Sequence, residues 1–271
     1  MPYVKKEINY SEKLKHLEEG WTETYNSVRS DLEFTAGGEG MWNPEVYKLR
    51  VDDDRPVYSL PLLNPFVDTI VAPCRLTPPN ISVNSADEKV GRLVNGIIRG
   101  IEAASGSSEA YSGSLQNSVA SGLGWLYLEI VNEKQGTELR IKHSQDPLAI
   151  MIDPLSTRVD GADAQYACYR GHISKDLADR TYDNIEDGVI EKGSSTSTFF
   201  NVPDNSYPDV IWYCLTNEGM TITRTIGKTE VYGQDFPGVN KLPIVPVMGE
   251  QLYAGANNIR LGGLIRRGRG I

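Results

Sequence analysis

Asp52, Asp53 and Asp54 form the one run of three carboxylates in the chain, the first group that could do chemistry. Neighbouring side chains diverge along an extended backbone, so three in a row do not converge on one ion. A calcium loop alternates its ligands and carries a glycine and a distal glutamate, and the residues after Asp54 supply neither. The expectation is a solvated acidic loop. His16, His143 and His172 are far apart, with no HExxH motif and no paired Cys/His spacing, so no metal is expected. His143 and His172 fall in expected strands without an identifiable partner and read as structural rather than as general bases. Cys74, Cys168 and Cys214 are odd in number and lack a CxxC pair, which suits reduced thiols in a cytosolic assembly environment. No GxxxxGK[ST] or GxSxG motif occurs, and Gly122-Leu123-Gly124 precedes a strand rather than joining a strand to a helix. With 36 acidic residues, any pair could be posed as a hydrolase dyad, so such pairs carry no signal. No catalytic residue and no cofactor are expected. One basic cluster remains: Arg260, Arg266, Arg267 and Arg269. Those charges could face phosphates along a channel, or simply hold a helix start or chain end in water.

The elements that must position these residues come in two blocks. Residues 10–36 repeat Leu14, Leu17, Trp21, Tyr25, Val28 and Leu32 at steps of three and four, an amphipathic helix with Ser11 as N-cap and Gly37-Gly38 as stop. Residues 39–61 read as irregular, with Trp42 as an anchor. Residues 62–75 read as a short, largely buried helix that Pro73 ends or kinks. Residues 80–84 alternate like a strand. A second stripe, Val90, Leu93, Val94, Ile97, Ile98 and Ile101, marks a helix over 86–105, and a helix rich in small residues follows over 109–122. From Trp125 the chain turns to strands: 125–131 paired with 138–143, then 148–152, 165–173, 210–215 hairpinned to 220–226, one near Val231, and a proline-bearing edge strand at 242–248. Ser174 is expected to cap a short helix, and 183–208 with its GSSTST run is expected to be a loop. Helices followed by antiparallel strands predict an α+β fold, N-terminal amphipathic helices followed by an antiparallel β-rich module.

Composition fits a globular protein: 39% hydrophobic and 23% charged residues are ordinary values for a chain that buries a core. The net charge of -9 argues against a free-standing DNA binder, which would need a basic field. The N-terminus lacks a signal-peptide h-region, and no apolar run is long enough to span a membrane.

Several segments, in order and spacing, resemble portal proteins of short-tailed phages of the Salmonella-infecting type. In residues 86–133 two helices lead through Gly122, Gly124 and Trp125 into a strand that ends in acidic residues. In residues 141–176 a strand runs to an aspartate-rich turn at Asp160, Asp163 and Ala164. LPIVPVMGE at 242–250 and the early pattern of Trp21, Asp31, Leu32, Phe34 and Trp42 also fit. The resemblance implies a structural subunit, not an enzyme: part of a homo-oligomeric ring, typically a dodecamer, at a capsid vertex. Such a ring serves as conduit for packaging and ejection of double-stranded DNA, without reading its sequence, and as head–tail connector. Its implied partners are the major capsid protein, the scaffolding protein, the terminase motor and a tail adaptor. It is implied to assemble in the host cytoplasm and to reside in the virion, with no membrane. The implied division is a helical wing region at 1–123, a β-rich wing module at 124–250, and at 251–271 the basic start of a tunnel or stem helix where the chain stops short of the family's length. An acidic wall would let DNA slide. Two rival readings stay open: another virion ring protein such as a tail adaptor, and a carboxylate-based hydrolase.

Overall fold

The computed structural model describes residues 10–133, 136–182, 185, 205–251 and 261–268. The periodic stripe of the N-terminal segment does form a helix, α1 (Tyr10–Ala36). Leu17, Trp21, Tyr25 and Val28 are buried on its inner face, and Leu14 and Leu32 pack at the margin. Burial of each such side chain is worth about 1.5–3 kcal/mol, so the stripe, not intrinsic propensity, holds this polar helix in place. Gly37 ends it at φ 83°. The helix already includes Tyr10, so Ser11 is not its N-cap.

The strands form two main antiparallel sheets. In the three-stranded sheet, β1 (Leu123–Glu133) lies between β2 (Gly136–His143) and the edge strand β8 (Ile244–Met248). Pro246 sits on that edge, where no further ladder bond is needed. The five-stranded sheet is a meander of β3 (Ile150–Ile152), β4 (Tyr166–Ser174), β5 (Ser206–Leu215), β6 (Gly219–Ile226) and β7 (Thr229–Pro237). α1 closes the outer edge of β3. Trp21 donates its indole N–H to the Ile152 carbonyl at 2.7 Å, and the Tyr25 hydroxyl donates to the Ile150 carbonyl. Trp21 also meets Trp125 of β1 edge-on, with ring centroids 6.2 Å apart. A single core therefore contains α1 and inner residues of both sheets, including Leu123, Trp125, Met151, Cys168 and Trp212.

Two helices stand behind β1 and β2: α4 (Glu88–Ser105) and α5 (Ser107–Ser121), joined at Gly106, which is left-handed at φ 61°. The small residues of α5 are functional in packing. Ser107, Ser114, Ser118 and Ser121 are buried, and Ser114 and Ser121 return their hydroxyls to backbone carbonyls of their own helix. The C-terminal strands β9 (Glu250–Gln251) and β10 (Leu261–Gly262) and the short helix α7 (Leu264–Gly268) return to the end of α5. There the backbones meet without side chains: a Cβ on Gly263 would stand 2.4 Å from the Ala120 carbonyl oxygen and 2.6 Å from the Gly122 nitrogen.

Several expectations are corrected. Residues 39–61 are irregular only in part: a 3-10 turn (Gly38–Met41) leads into α2 (Pro44–Asp52), and 55–61 carry no helix or strand. Asn43 caps α2 by accepting from the Glu45 amide, and Pro44 fits its first turn. Trp42 is anchored as expected, through its indole N–H to Ser59. α3 (Asn64–Leu76) buries only Val67 and Val71, and Pro73 lies inside it; so near the C-terminus the helix continues for three residues beyond. Residues 80–84 form no strand. Instead the Asn95 side chain of α4 both donates to the Val83 carbonyl and accepts from the Val83 amide, replacing a strand partner. Ser174 stands at the N-cap of α6 (Lys175–Thr181) without a side-chain cap bond. β5 begins at Ser206 and takes in Pro208, inside the stretch expected to be loop; the GSSTST run lies outside the described residues.

At the glycine junction, Gly263→Ala should destabilise the fold by about 1–3 kcal/mol, because only backbone can yield to the added methyl. Chemical denaturation would measure it; an unchanged midpoint would count against the close approach.

Candidate assembly surface

The two described members of the arginine cluster each face a carboxylate. Asp31 lies on the inner face of α1, fully buried one turn beyond Val28. Arg266 on α7 donates to its Oδ2 from Nε at 3.1 Å and from a terminal nitrogen at 2.9 Å. Ile265 beside it is buried against Val67, Val71 and Ala120, so α7 ties α1, α3 and α5 together. Arg267 is more exposed and contacts Glu250. Arg260 and Arg269 lie outside the described residues. The Arg266–Asp31 link was not read from the sequence. Its signal was there: Asp31 falls on the apolar stripe of α1, and a carboxylate at a buried position demands a cation or strong donors.

The region from α2 to α4 carries most of the exposed apolar surface. Among the described residues, fourteen of the 22 exposed large hydrophobics lie between Val46 and Ile97, far more than that stretch's share. Concentration of this kind marks an interaction surface rather than scattered surface leucines. α4 is capped by Asp87, which accepts from the Lys89 amide at 2.8 Å. Its C-terminal half leans on β2, where the Ser105 hydroxyl accepts from the Ile141 amide. Val94, Ile98 and Ile101 are half-buried, whereas Val90, Leu93 and Ile97 are 48%, 66% and 55% exposed. The acidic run is solvated, and Asp53 pairs with Arg55 at 3.3 Å.

The aspartate-rich turn between β3 and β4 is built around two carboxylates. Asp163 accepts from the Ser156 hydroxyl at 2.5 Å and from the Thr157 amide at 2.8 Å, which hold its carboxyl well below the usual range. The Arg158 guanidinium donates twice to Asp160 and brings its pKa down to about 2. These bonds shape a turn and leave no converging ligand set; among the described residues no group of three or more His, Cys, Asp or Glu could hold a metal. His143 packs over Gly113 of α5, and burial lowers its pKa and that of His172, favouring neutral rings. Burial pushes the Cys168 thiol up to about 12 and raises Cys214, so neither is a reactive thiolate. No described helix is long and apolar enough to cross a membrane.

Among protein families, residues 12–225 match the one described as phage P22-like portal protein. The chain belongs to that family. The match runs from the first turns of α1 nearly to the end of β6, so it includes most of the shared core, without Leu242, Ile244 and Leu261, and all of α2 to α4. The arginine cluster lies beyond it. No curated protein matches the chain. Membership places the chain in a structural, non-enzymatic family of phage proteins and implies an oligomeric ring associated with the virion capsid.

Arg266→Met should cost about 3 kcal/mol in a denaturation midpoint, because it strips a cation from a buried carboxylate. The double change Asp31→Leu with Arg266→Met should recover most of that loss, since an apolar pair has no charge to desolvate. In the aspartate turn, both carboxyls have folded values below the ordinary one. Their contribution is present above about pH 4 and is lost as pH falls through the folded values, near 2 for Asp160. NMR titration of the two carboxyl carbons should give midpoints clearly below 3.8; ordinary midpoints would mean that the turn is not organised by these bonds.

Proposed function

We propose that the chain is a subunit of the portal ring itself, a dodecamer at one capsid vertex that conducts DNA during packaging and ejection and connects head to tail. The family match over residues 12–225 is the observation that carries this reading. In it, residues 1–123 supply the helical part of the wing and 124–250 the β-rich part. The terminase motor, scaffolding protein, capsid protein and tail adaptor are the partners such a ring would meet in turn, first during assembly in the host cytoplasm and then in the virion.

The charge supports a conduit that does not grip. A chain with net charge -9 repels phosphate over about a Debye length, roughly 8–10 Å at physiological salt, so duplex DNA could slide past without a sequence-independent trap. Within this proposal Arg267 is the described member of the cluster that could reach a phosphate, with Arg260 and Arg269 beside it in sequence. Arg266 is already committed to Asp31. The match to the portal family favours this reading over a tail adaptor or a hydrolase.

Negative-stain electron microscopy with light scattering on the purified chain tests the proposal. Closed rings with a central hole wide enough for duplex DNA are expected. Particles that scatter as single chains at every accessible concentration would count against a ring built from this region.

A further inference from the structure

The exposed arm, α2 to α4, is held to the body at separate places. α4 rests on β2 through Ser105 and Ile141. α2 buries no residue, and α3 buries Val67 and Val71 alone. Both valines belong to a small cluster apart from the main core, to which α5 supplies Ala120 and α7 supplies Ile265. Leu63, at the N-cap of α3, packs against the same cluster, and a Cβ on Gly268 of α7 would stand 2.6 Å from its Cδ1. Two polar ties add to this hold on α3: Asn64 donates to the Thr35 carbonyl at 2.9 Å, and Arg75 donates to Gln116 at 2.8 Å.

α7 depends on its neighbours in turn. Its five residues are too few for a helix to persist alone. It is docked by Ile265, which is fully buried, and by Arg266 on Asp31. A buried ion pair contributes little net stability after desolvation, although losing one partner is costly. Upstream, Leu261 is anchored in the main core, and Gly262 and Gly263 separate that anchor from α7. α7 can therefore lift away while Leu261 stays in place. The cluster it completes has four buried residues against twenty in the main core, so it is the part that opens first.

We infer that α7 is a clasp for the arm: its docking on α1 and α5 sets the position of α3, and its release frees α3 while the two-sheet body stays folded. α3 carries Phe66 and Ile70, both exposed, so the clasp governs part of the apolar surface that the arm presents. The coupling belongs to a single chain and does not rest on the portal reading. It is also reciprocal: whatever holds α3 in place favours docked α7 to the same degree.

Hydrogen exchange of the full chain, read by mass spectrometry, tests the clasp. Ile265→Ala and Arg266→Met should each speed exchange in residues 64–76 by about tenfold or more. Ile265→Val should do the same to a smaller extent. Val71→Ala should in turn speed exchange in residues 264–268. Val210→Ala, in the main core, is the control: it should speed exchange in β5 and β6 and leave residues 64–76 at the parent rate, because α3 opens without the body. Parent rates over 64–76 in both α7 variants overturn the clasp and make α7 a passive chain end. Equal acceleration of α3 and β6 by Val210→Ala overturns it too, since arm and body would then open as one unit. So does outright loss of protection in β5 and β6 on Ile265→Ala, because the body must stand without the clasp.

Discussion

The outer edge of β3 is the constraint around which the structure is organised. A three-residue strand at the end of a sheet exposes carbonyls that need donors, and it cannot hold its own place. α1 meets that need with two aromatic side chains one turn apart, Trp21 to Ile152 and Tyr25 to Ile150. The same rings bury their apolar bodies against Trp125 and the shared core. A third link lies alongside: Arg170 of β4 pairs with Glu18 of α1 at 3.1 Å and also donates to the Leu148 carbonyl. Helix and sheet are thus joined by directional bonds inside an apolar contact, which fixes the rotation of α1 and with it the position of Asp31.

From Asp31 the arrangement passes to the C-terminal segment. Arg266 reaches the buried carboxylate only because α7 is brought back across the end of α5. That return is possible because Gly122, Gly249 and Gly263 let three backbones approach; the Gly249 amide donates to the Gly122 carbonyl at 2.9 Å. α5, with its buried serines, is the slender middle layer that permits this approach and also receives α3. One side of the molecule is therefore closely packed.

The other side is left open. α2, α3 and the N-terminal half of α4 turn large apolar residues to solvent, and the strap at residues 80–84 is fixed to α4 by Asn95 and Arg99 rather than by a sheet. Such a surface is a liability for a chain that stays alone and an asset for a subunit of a larger assembly. Membership in the portal family, which implies an oligomeric ring associated with the capsid, accords with a subunit that keeps such a surface.

The sequence by itself determined the elements whose signal is local. The stripe from Leu14 to Leu32 gives α1 its bounds, the alternation in β1 and β2 gives their hairpin, and the prolines at 243 and 246 put β8 on an edge, each because period and turn chemistry act within a few residues. The order of these elements also carried the family resemblance. Tertiary structure decided which apolar residues are inside. Leu93 and Leu17 look alike in their stripes, yet one is exposed and the other buried, because only α1 has two sheets to cover it. It also decided the role of Arg266, since a charge that lies in a basic cluster along the chain is, in space, the partner of a carboxylate more than two hundred residues earlier. Periodicity reports that a face is apolar; what covers that face depends on contacts distant in sequence.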